Sequence, residues 1–535
     1  MNPKRMIAAF SMLCIFATAL YLRIAFIMSD DFYIETAKSQ SSYTLTIPAS
    51  RGLIYDSELN PLVRQKMTYQ AAVLLNENNF ETVLSHAQGV TREDLLTQMR
   101  TGKPFVCTLD TYQINDPNCI IFPGYDRDEE KGTVRHIVGY CKDGTGVSGI
   151  EKAYDSILSA KDDPTKITYE LDGIGKGFTD RSPEINYGRD AKSGVVLTID
   201  QEIQQLCEKI GRETIEKGAI VVMETKTGKL KAMCSFPEYS LNDLQAAVSD
   251  EENTPFLDRT ISPFNVGSTF KVVTSASALS LGISSGETYT CTGAYDLNGT
   301  VFRCHDHQGH GTLDLKGALM ASCNPYFIHL GQKVTPSVFL KTASDLSFGK
   351  QFELAPGLYT QSGSLPTSVQ LEDPGQLANF SFGQGYLTAT PVQIAQMFSS
   401  VGNEGFTPNP ILVEGTTTDG KTVETTAKTQ GVQAMTKEIA QTIKEDLTAC
   451  VMEKENQKST PKTTTAAGKT ATAQTGIFDD SGEELCNGWF GGFFPAEDPK
   501  YTVVVLAEQA GEGSLVAAPI FAQIVDGINL IEGLS

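Results

Sequence analysis

Residues 6 to 28, MIAAFSMLCIFATALYLRIAFIM, carry a single charge, Arg23, and are about long enough to cross a bilayer. Whatever follows such a segment folds on one side of a membrane. Lys4 and Arg5 precede it, and the excess of positive charge on cytoplasmic flanks predicts a cytoplasmic N-terminus with the remaining chain outside. Arg23 falls near the outer end, where a long side chain snorkels to the interface. The alternative is a cleaved signal peptide. Because the run is long and no small-x-small cleavage site follows closely, the expectation is an uncleaved anchor over residues 1–28.

At 535 residues the chain is long enough for more than one domain. A net charge of −21 and a pI near 4.8 argue against nucleic acid as a partner, since phosphate binding needs clustered Lys and Arg. Any anionic substrate must therefore be met by local positive charge. Of the 11 cysteines, Cys14 sits in the anchor and the others lie beyond it, which permits disulfides in an oxidising compartment without requiring them.

The chain changes character near residue 195. Within residues 29–194, residues 42–190 are polar and loop-rich, with strand-like runs YQAAVLL and ITYEL and no constellation of catalytic residue types. They are read as a pedestal domain. SGVVLTIDQEIQQLCEKI then gives a strand, an Asp200 that can cap a helix, and Ile203, Leu206 and Ile210 at helical spacing. AIVVMETKTGKLKAMCSF reads as a hairpin turning at Thr227-Gly228, and YTVVVLAEQ as a strand. Residues 195–535 are thus expected to form an α+β catalytic domain, helices packed on an antiparallel sheet.

Its chemistry is read from FNVGSTFKVVTSASALSLG, residues 264–282, where Ser268 and Lys271 stand three positions apart as an apolar helical run begins. A serine hydroxyl is a weak nucleophile, and a lysine activates it only when burial or nearby positive charge keeps the amine neutral. At a helix start the two share a face, Gly267 permits close substrate approach, and free N–H groups favour an oxyanion. Ser347-x-x-Lys350 lacks helical periodicity after it, and Ser459-x-x-Lys462 sits in a Thr- and Pro-containing loop, so both are set aside.

Serine–lysine acyl transfer also uses a Ser-x-Asn and a Lys-Thr-Gly, in that chain order. Ser322-Cys323-Asn324 follows Ser268, whereas Ser240-Leu241-Asn242 precedes it. The literal Lys226-Thr227-Gly228 also precedes the nucleophile, at a hairpin tip, and Lys192-Ser193-Gly194 lies at the domain junction. Lys469-Thr470-Ala471 stands in the right order, on a segment of small side chains suited to an edge strand that takes a peptide by strand addition. Ala471 departs from glycine and adds one methyl to the expected cleft.

With RGLIYDSELNPL, GVSGIEKAYDSIL, LTIDQEIQ, GSTFK, ASCNPYF, FGQGYLTATPVQIA, AGKTATAQTG and GWFGGFFPAEDPKY in order over most of its length, the chain resembles the class B penicillin-binding proteins. These are monofunctional D,D-transpeptidases that cross-link bacterial peptidoglycan. The resemblance implies a transmembrane helix, an elongated pedestal and a penicillin-binding, serine β-lactamase-like transpeptidase domain. It implies that Ser268 attacks the penultimate D-Ala carbonyl, that Lys271 is its base, and that Ser322 and Asn324 shuttle protons and hold the substrate amide. Lys469 supplies positive potential and Thr470 a hydroxyl for the terminal carboxylate. The N–H groups of Ser268 and Thr472 form the oxyanion hole.

Stem peptides and β-lactams are the implied ligands, no cofactor is implied, and a separate membrane glycosyltransferase is the implied partner, because residues 29–190 carry no polymerising motif. The competing functions are a β-lactamase, for which no deacylating base is identified; a penicillin-sensing receptor, which needs a cytoplasmic signalling region; an idle scaffold; and a D,D-carboxypeptidase, which differs only in its acceptor.

Three further features have structural readings. In CHDHQGHG, Cys304, His305, His307 and His310 cluster, with Cys291 upstream across an Asn298-Gly299 hairpin. Zinc, a Cys291–Cys304 disulfide and free thiols are all open there. Thr390-Pro391-Val392-Gln393 is a capping box, and the GQG before it is a turn. Trp489, the only tryptophan, is expected in the core.

Overall fold

The computed structural model describes residues 3–128, 134–142, 144–159, 163–453 and 458–533. Met1 and Asn2 of the expected anchor lie outside them. The chain divides into two compact units: Met1–Arg51, Gln65–Arg127 and Ala160–Ala191 make the smaller, and Gly52–Arg64, Asp128–Ser159 and Lys192–Ser535 the larger. The expected single boundary at residue 195 therefore differs from the observed division. Leu53–Tyr55 pairs in parallel with Gly194–Leu197, drawing an early segment into the larger unit. No local sequence window reports a strand partner so distant.

In the smaller unit, helix α1 (Pro3–Ser29) is exposed along its length and is long and apolar enough to cross a membrane. Beyond it, Ser42–Ile47, Thr165–Glu170 and Glu184–Asn186 form one sheet, and Arg64–Val73 lies between Phe105–Leu109 and Cys119–Asp128 in another. The strand-like runs read from the sequence fall in these two sheets. Alternation sends Ala71 and Val73 into one small core and Ala72 and Leu74 into a second.

In the larger unit Asp200 caps helix α2 (Gln201–Thr214), its carboxylate accepting from Glu202 N and Ile203 N. The central sheet has strands β1 (Gly218–Glu224), β2 (Leu230–Phe236), β3 (Ala467–Phe478), β4 (Glu484–Phe494) and β5 (Tyr501–Ala507), all neighbours antiparallel, in the order β2-β1-β5-β4-β3. Both faces are covered. Ile220 and Val222 of β1 and Val503 and Val505 of β5 pack in one core with residues of α2. Val221, Met223, Val504 and Leu506 point the other way, into a core shared with helix α3 (Lys271–Ser280), the short helices α4 (Leu315–Met320) and α5 (Asn324–Gly331), and helix α6 (Pro391–Gly402). Helix α7 (Gly513–Glu532) is apolar enough to pass for a second membrane span, yet Ala517, Phe521, Ile524 and Ile528 lie in the first of these cores.

Each such valine, leucine, isoleucine, methionine or phenylalanine side chain contributes roughly 1.5–3 kcal/mol on full burial. Apolarity on both faces does not by itself choose a register, so close approaches matter. At Gly491 of β4 a Cβ would sit 2.2 Å from the Phe398 ring of α6, which pins the strand against that helix. Trp489 is buried as expected and its Nε1 donates to Asn265 O at 2.8 Å. The Thr390–Gln393 capping box opens α6 with Pro391 in its first turn, and Gln393 Nε2 also donates to three carbonyls, of Ser347, Lys350 and Ser362. The hairpin turns at Asn298-Gly299 and Thr227-Gly228 fall where the sequence puts them.

Candidate active site

The chain enters the site through a single 3₁₀ turn, Gly267–Phe270, which runs directly into α3. In a 3₁₀ turn side chains three apart eclipse one another, so Ser268 and Lys271 lie on one edge. Gly267 has φ +66°, and a Cβ there would meet Thr472 O at 3.0 Å and Ala473 Cβ at 3.1 Å. Only glycine lets the serine turn lie this close to β3. The turn in GQG supports it from behind, with Gly267 N donating to Gly383 O at 2.9 Å.

Lys271 is 0 % exposed. Its Nζ donates to Ser322 O at 2.7 Å, Asn324 Oδ1 at 2.8 Å and Ser322 Oγ at 3.2 Å, and lies 5.3 Å from the centre of the Phe327 ring. Burial holds its amine well below the usual lysine range, and the positive charge of Lys469 pushes the same way; the thiols of Cys323 and Cys304 oppose this and are outweighed. The two acceptors are held by an unusual backbone. Ser322 has φ +52°, a left-handed conformation uncommon outside glycine, in the link between α4 and α5, and Asn324 opens α5 with Pro325 beside it.

β3 is the edge strand of the sheet, as strand addition requires. Lys469 is 3 % exposed and its Nζ donates to Thr470 O at 3.0 Å and Thr470 Oγ1 at 3.4 Å. Thr470 is half-buried and Thr472 exposed, its Oγ1 accepting from Gly513 N at 3.3 Å. Ala471 is 3 % exposed, pairs with Trp489 and belongs to the large core. The cleft these elements enclose has a volume of about 350 Å³ with that methyl in place, and Ser268, Ser322, Asn324, Lys469, Thr470 and Thr472 all line it. Lys271 lies buried beneath.

Because Lys469 helps to hold Lys271 neutral, its charge has a measurable consequence. A lysine acting as a base accepts a proton only while unprotonated, so a rate that depends on Lys271 in that role rises as pH passes upward through its pKa. Lys469→Met removes the positive neighbour and raises that pKa. The acid limb of the rate profile therefore moves to higher pH, by less than the whole depression because burial remains. Rates of acylation of wild type and variant across pH check this; an unmoved limb contradicts the coupling.

The residues set aside lie elsewhere or lack a base. Ser347 sits at φ +78° in a turn and does not line the cleft. Lys226 pairs with Asp498, and Ser240 Oγ accepts from Asn242 N within a local turn. Ser459 is different: it lines the cleft wall and is 1 % exposed, while Lys462 is exposed. Glu512 and Ser514, at the start of α7, also line the cleft. Sequence reasoning missed them, because only the packing of the last helix against β3 brings them there, and no local pattern marks it.

Residues 218–526 match the family model described as the penicillin binding protein transpeptidase domain. The chain belongs to the class B penicillin-binding proteins. It is 30 % identical to peptidoglycan D,D-transpeptidase PbpA of Mycolicibacterium smegmatis over 417 residues, covering 72 % of this chain and 80 % of the relative. It is 24 % identical to peptidoglycan D,D-transpeptidase MrdA of Haemophilus influenzae, covering 94 % and 87 %. Among solved structures, penicillin-binding protein A of M. tuberculosis, as its ceftriaxone acyl-enzyme, superposes with a TM-score of 0.65 at 20 % identity, covering 90 % of this chain and 98 % of that one. The shared fold is the penicillin-binding transpeptidase fold, helices on a sheet.

Proposed function

We propose that this chain cross-links peptidoglycan stem peptides through an acyl-enzyme on Ser268. The observation that carries the assignment is the convergence of six residues from three separate sequence segments on one cleft, with a buried, depressed-pKa Lys271 beneath it. A stem peptide lies along the edge of β3, its terminal carboxylate met by Lys469 and by the hydroxyl of Thr470, which answers the need for local positive charge in an acidic protein. Lys271 takes the Ser268 proton as Oγ attacks the penultimate D-Ala carbonyl. The N–H groups of Ser268 and Thr472, on the two backbones that Gly267 brings together, receive the developing oxyanion. The tetrahedral intermediate expels D-Ala as Ser322, hydrogen-bonded to Lys271, passes the proton to the leaving amine, and Asn324 holds the substrate amide. An amine of a second stem peptide then takes the acyl group, restoring the serine.

The apolar helix α1 anchors the enzyme. Lys4 and Arg5 on its N-terminal flank support a cytoplasmic N-terminus and a catalytic unit outside the membrane, with the smaller unit as pedestal. A membrane glycosyltransferase is the proposed partner. One structural relative was solved in a peptidoglycan synthase complex that coordinates polymerization and crosslinking, with a TM-score of 0.68 at 22 % identity. Incubating the full chain with a pentapeptide stem ending in D-Ala-D-Ala and a separate amine acceptor tests the function. Release of D-Ala with formation of the cross-linked dimer is expected. Release to water alone makes the enzyme a carboxypeptidase, and no release contradicts the proposal.

A further inference from the structure

We propose that Cys291, Cys304, His310 and Cys323 hold a zinc ion, and that this ion fixes the loop carrying Ser322 and Asn324. The two parts rest on different grounds: the metal site stands on its own geometry, and its bearing on catalysis rests on the roles given above to Ser322 and Asn324.

The four side chains offer ligand atoms that all lie within 4.8 Å of one another. An ion bound tetrahedrally at about 2.3 Å from sulfur and about 2.0–2.1 Å from nitrogen spaces its neighbouring ligand atoms roughly 3.5–3.8 Å apart. Cys304 Sγ and His310 Nδ1 are already 3.5 Å apart. Three thiolates and an imidazole are the donor set of closed structural zinc sites, and soft sulfur ligands disfavour magnesium and calcium. On binding, the three thiols release their protons to solvent, and the occupied site carries one net negative charge.

Cys291, Cys304 and Cys323 lie at the large core, and the excursion carrying the first two adds little buried surface of its own. Between Tyr289 and Leu313 the chain makes short strands, Tyr289–Cys291 pairing with Gly311–Leu313 and Ala294–Leu297 with Thr300–Arg303. Within that stretch the buried residues are Cys291, Gly293 and Cys304. The excursion thus has cysteines where a larger one would have an apolar core, the circumstance in which metal binding supplies folding energy. Its loops are also drawn tight. A Cβ on Gly293 would sit 2.2 Å from His307 O, and one on Gly309 2.4 Å from Cys291 O.

The fourth ligand comes from outside the excursion. Cys323 is the middle residue of Ser322-Cys323-Asn324 and is fully buried. Its neighbours on either side are the two residues that receive Lys271 Nζ, and Ser322 is held in the left-handed region. A metal–sulfur bond at Cys323 fixes the backbone between them, as ligand contacts around catalytic metals fix orientation. A disulfide would use two of the sulfurs and leave the third thiol and the imidazole unused.

The test uses the full chain in detergent with reductant, stripped of metal by a chelator and reloaded with zinc or cobalt(II). The expected results are one metal ion per chain by elemental analysis and, with cobalt, thiolate charge-transfer and tetrahedral d–d bands. Cys304→Ser abolishes those bands, whereas Cys486→Ser, a cysteine on β4 outside the cluster, keeps them. Should Cys304→Ser fail to fold, the wild-type metal count and cobalt spectrum decide alone. Substoichiometric metal, cobalt bands unchanged in folded Cys304→Ser, or a native Cys291–Cys304 disulfide with no metal bound after reduction overturns the site.

Amide hydrogen exchange of residues 321–324 tests the second part independently of activity. Exchange rises about tenfold or more on stripping, as local opening of the loop becomes easier, and returns on adding zinc. Unchanged exchange overturns the fixing role. Absence of penicillin acylation in both loaded and stripped chain counts against Ser268 and leaves metal count and exchange to judge the site.

Discussion

Ser268→Ala eliminates covalent labelling by penicillin, while Ser347→Ala and Ser459→Ala label at rates close to wild type. All three serines open a Ser-x-x-Lys, yet only Ser268 shares an edge with a fully buried lysine at the foot of the cleft. Ser459 is the sharper control, because it lines the same cleft. Its lysine, Lys462, is exposed and lies in a segment whose backbone N–H groups donate to Asp526, so it is not the buried base that Lys271 is. Rates of labelling by a fluorescent penicillin, with a thermal melt of each variant to establish folding, check the prediction. Equal labelling of all three, or loss in Ser459→Ala alone, overturns the assignment of the nucleophile.

Lys271→Arg lowers the acylation rate by roughly 10²–10⁴-fold, the range that a general base contributes. Arginine keeps the positive charge and supplies donors for Ser322 O and Asn324 Oδ1, so a lysine that served only to hold those groups would be replaced with little loss. It does not give up its proton in proteins. Lys271→Met, which removes donors and base together, is expected to lose more than Lys271→Arg. Single-turnover acylation rates, measured where the thermal melt shows each variant folded, separate the two roles. An arginine variant within tenfold of wild type makes Lys271 a positioning residue and leaves the base to be found elsewhere.

The parts of the site that were legible beforehand are those written in local pattern. The helix after Lys271 has its apolar positions in sequence, Asp200 and Thr390 show their caps within three residues, and Asn298-Gly299 shows its turn in two. The order of Ser268, Ser322 and Lys469 separates the triplets that line the cleft from Ser240-x-Asn242 and Lys226-Thr227-Gly228, which the structure places in turns away from it. The 3₁₀ geometry of the serine turn was not legible, because it depends on the approach of Gly267 to β3, some two hundred residues later in the chain.

The remaining omissions have the same cause. The sequence offers Cys291, Cys304 and His310 as neighbours, but it shows Cys323 only as the unspecified middle residue of a catalytic triplet; tertiary folding alone brings its sulfur to the other three. Ala471 was read as a methyl intruding on the cleft. It pairs with Trp489 and packs against the core, and it also lines the cleft beside Lys469 and Thr470, so its methyl forms part of the cleft wall. The pairing of Leu53–Tyr55 with Gly194–Leu197, likewise, is a property of the folded chain and of no window within it.

Mass spectrometry of the full chain in detergent, sampled over time after adding penicillin and followed by peptide mapping, tests the acyl-transfer account most directly. The account predicts one adduct of penicillin mass per chain, persisting for many minutes, on the peptide that contains Ser268. An adduct on any other residue, an adduct that decays quickly while penicillin is consumed, or no adduct at all would contradict it.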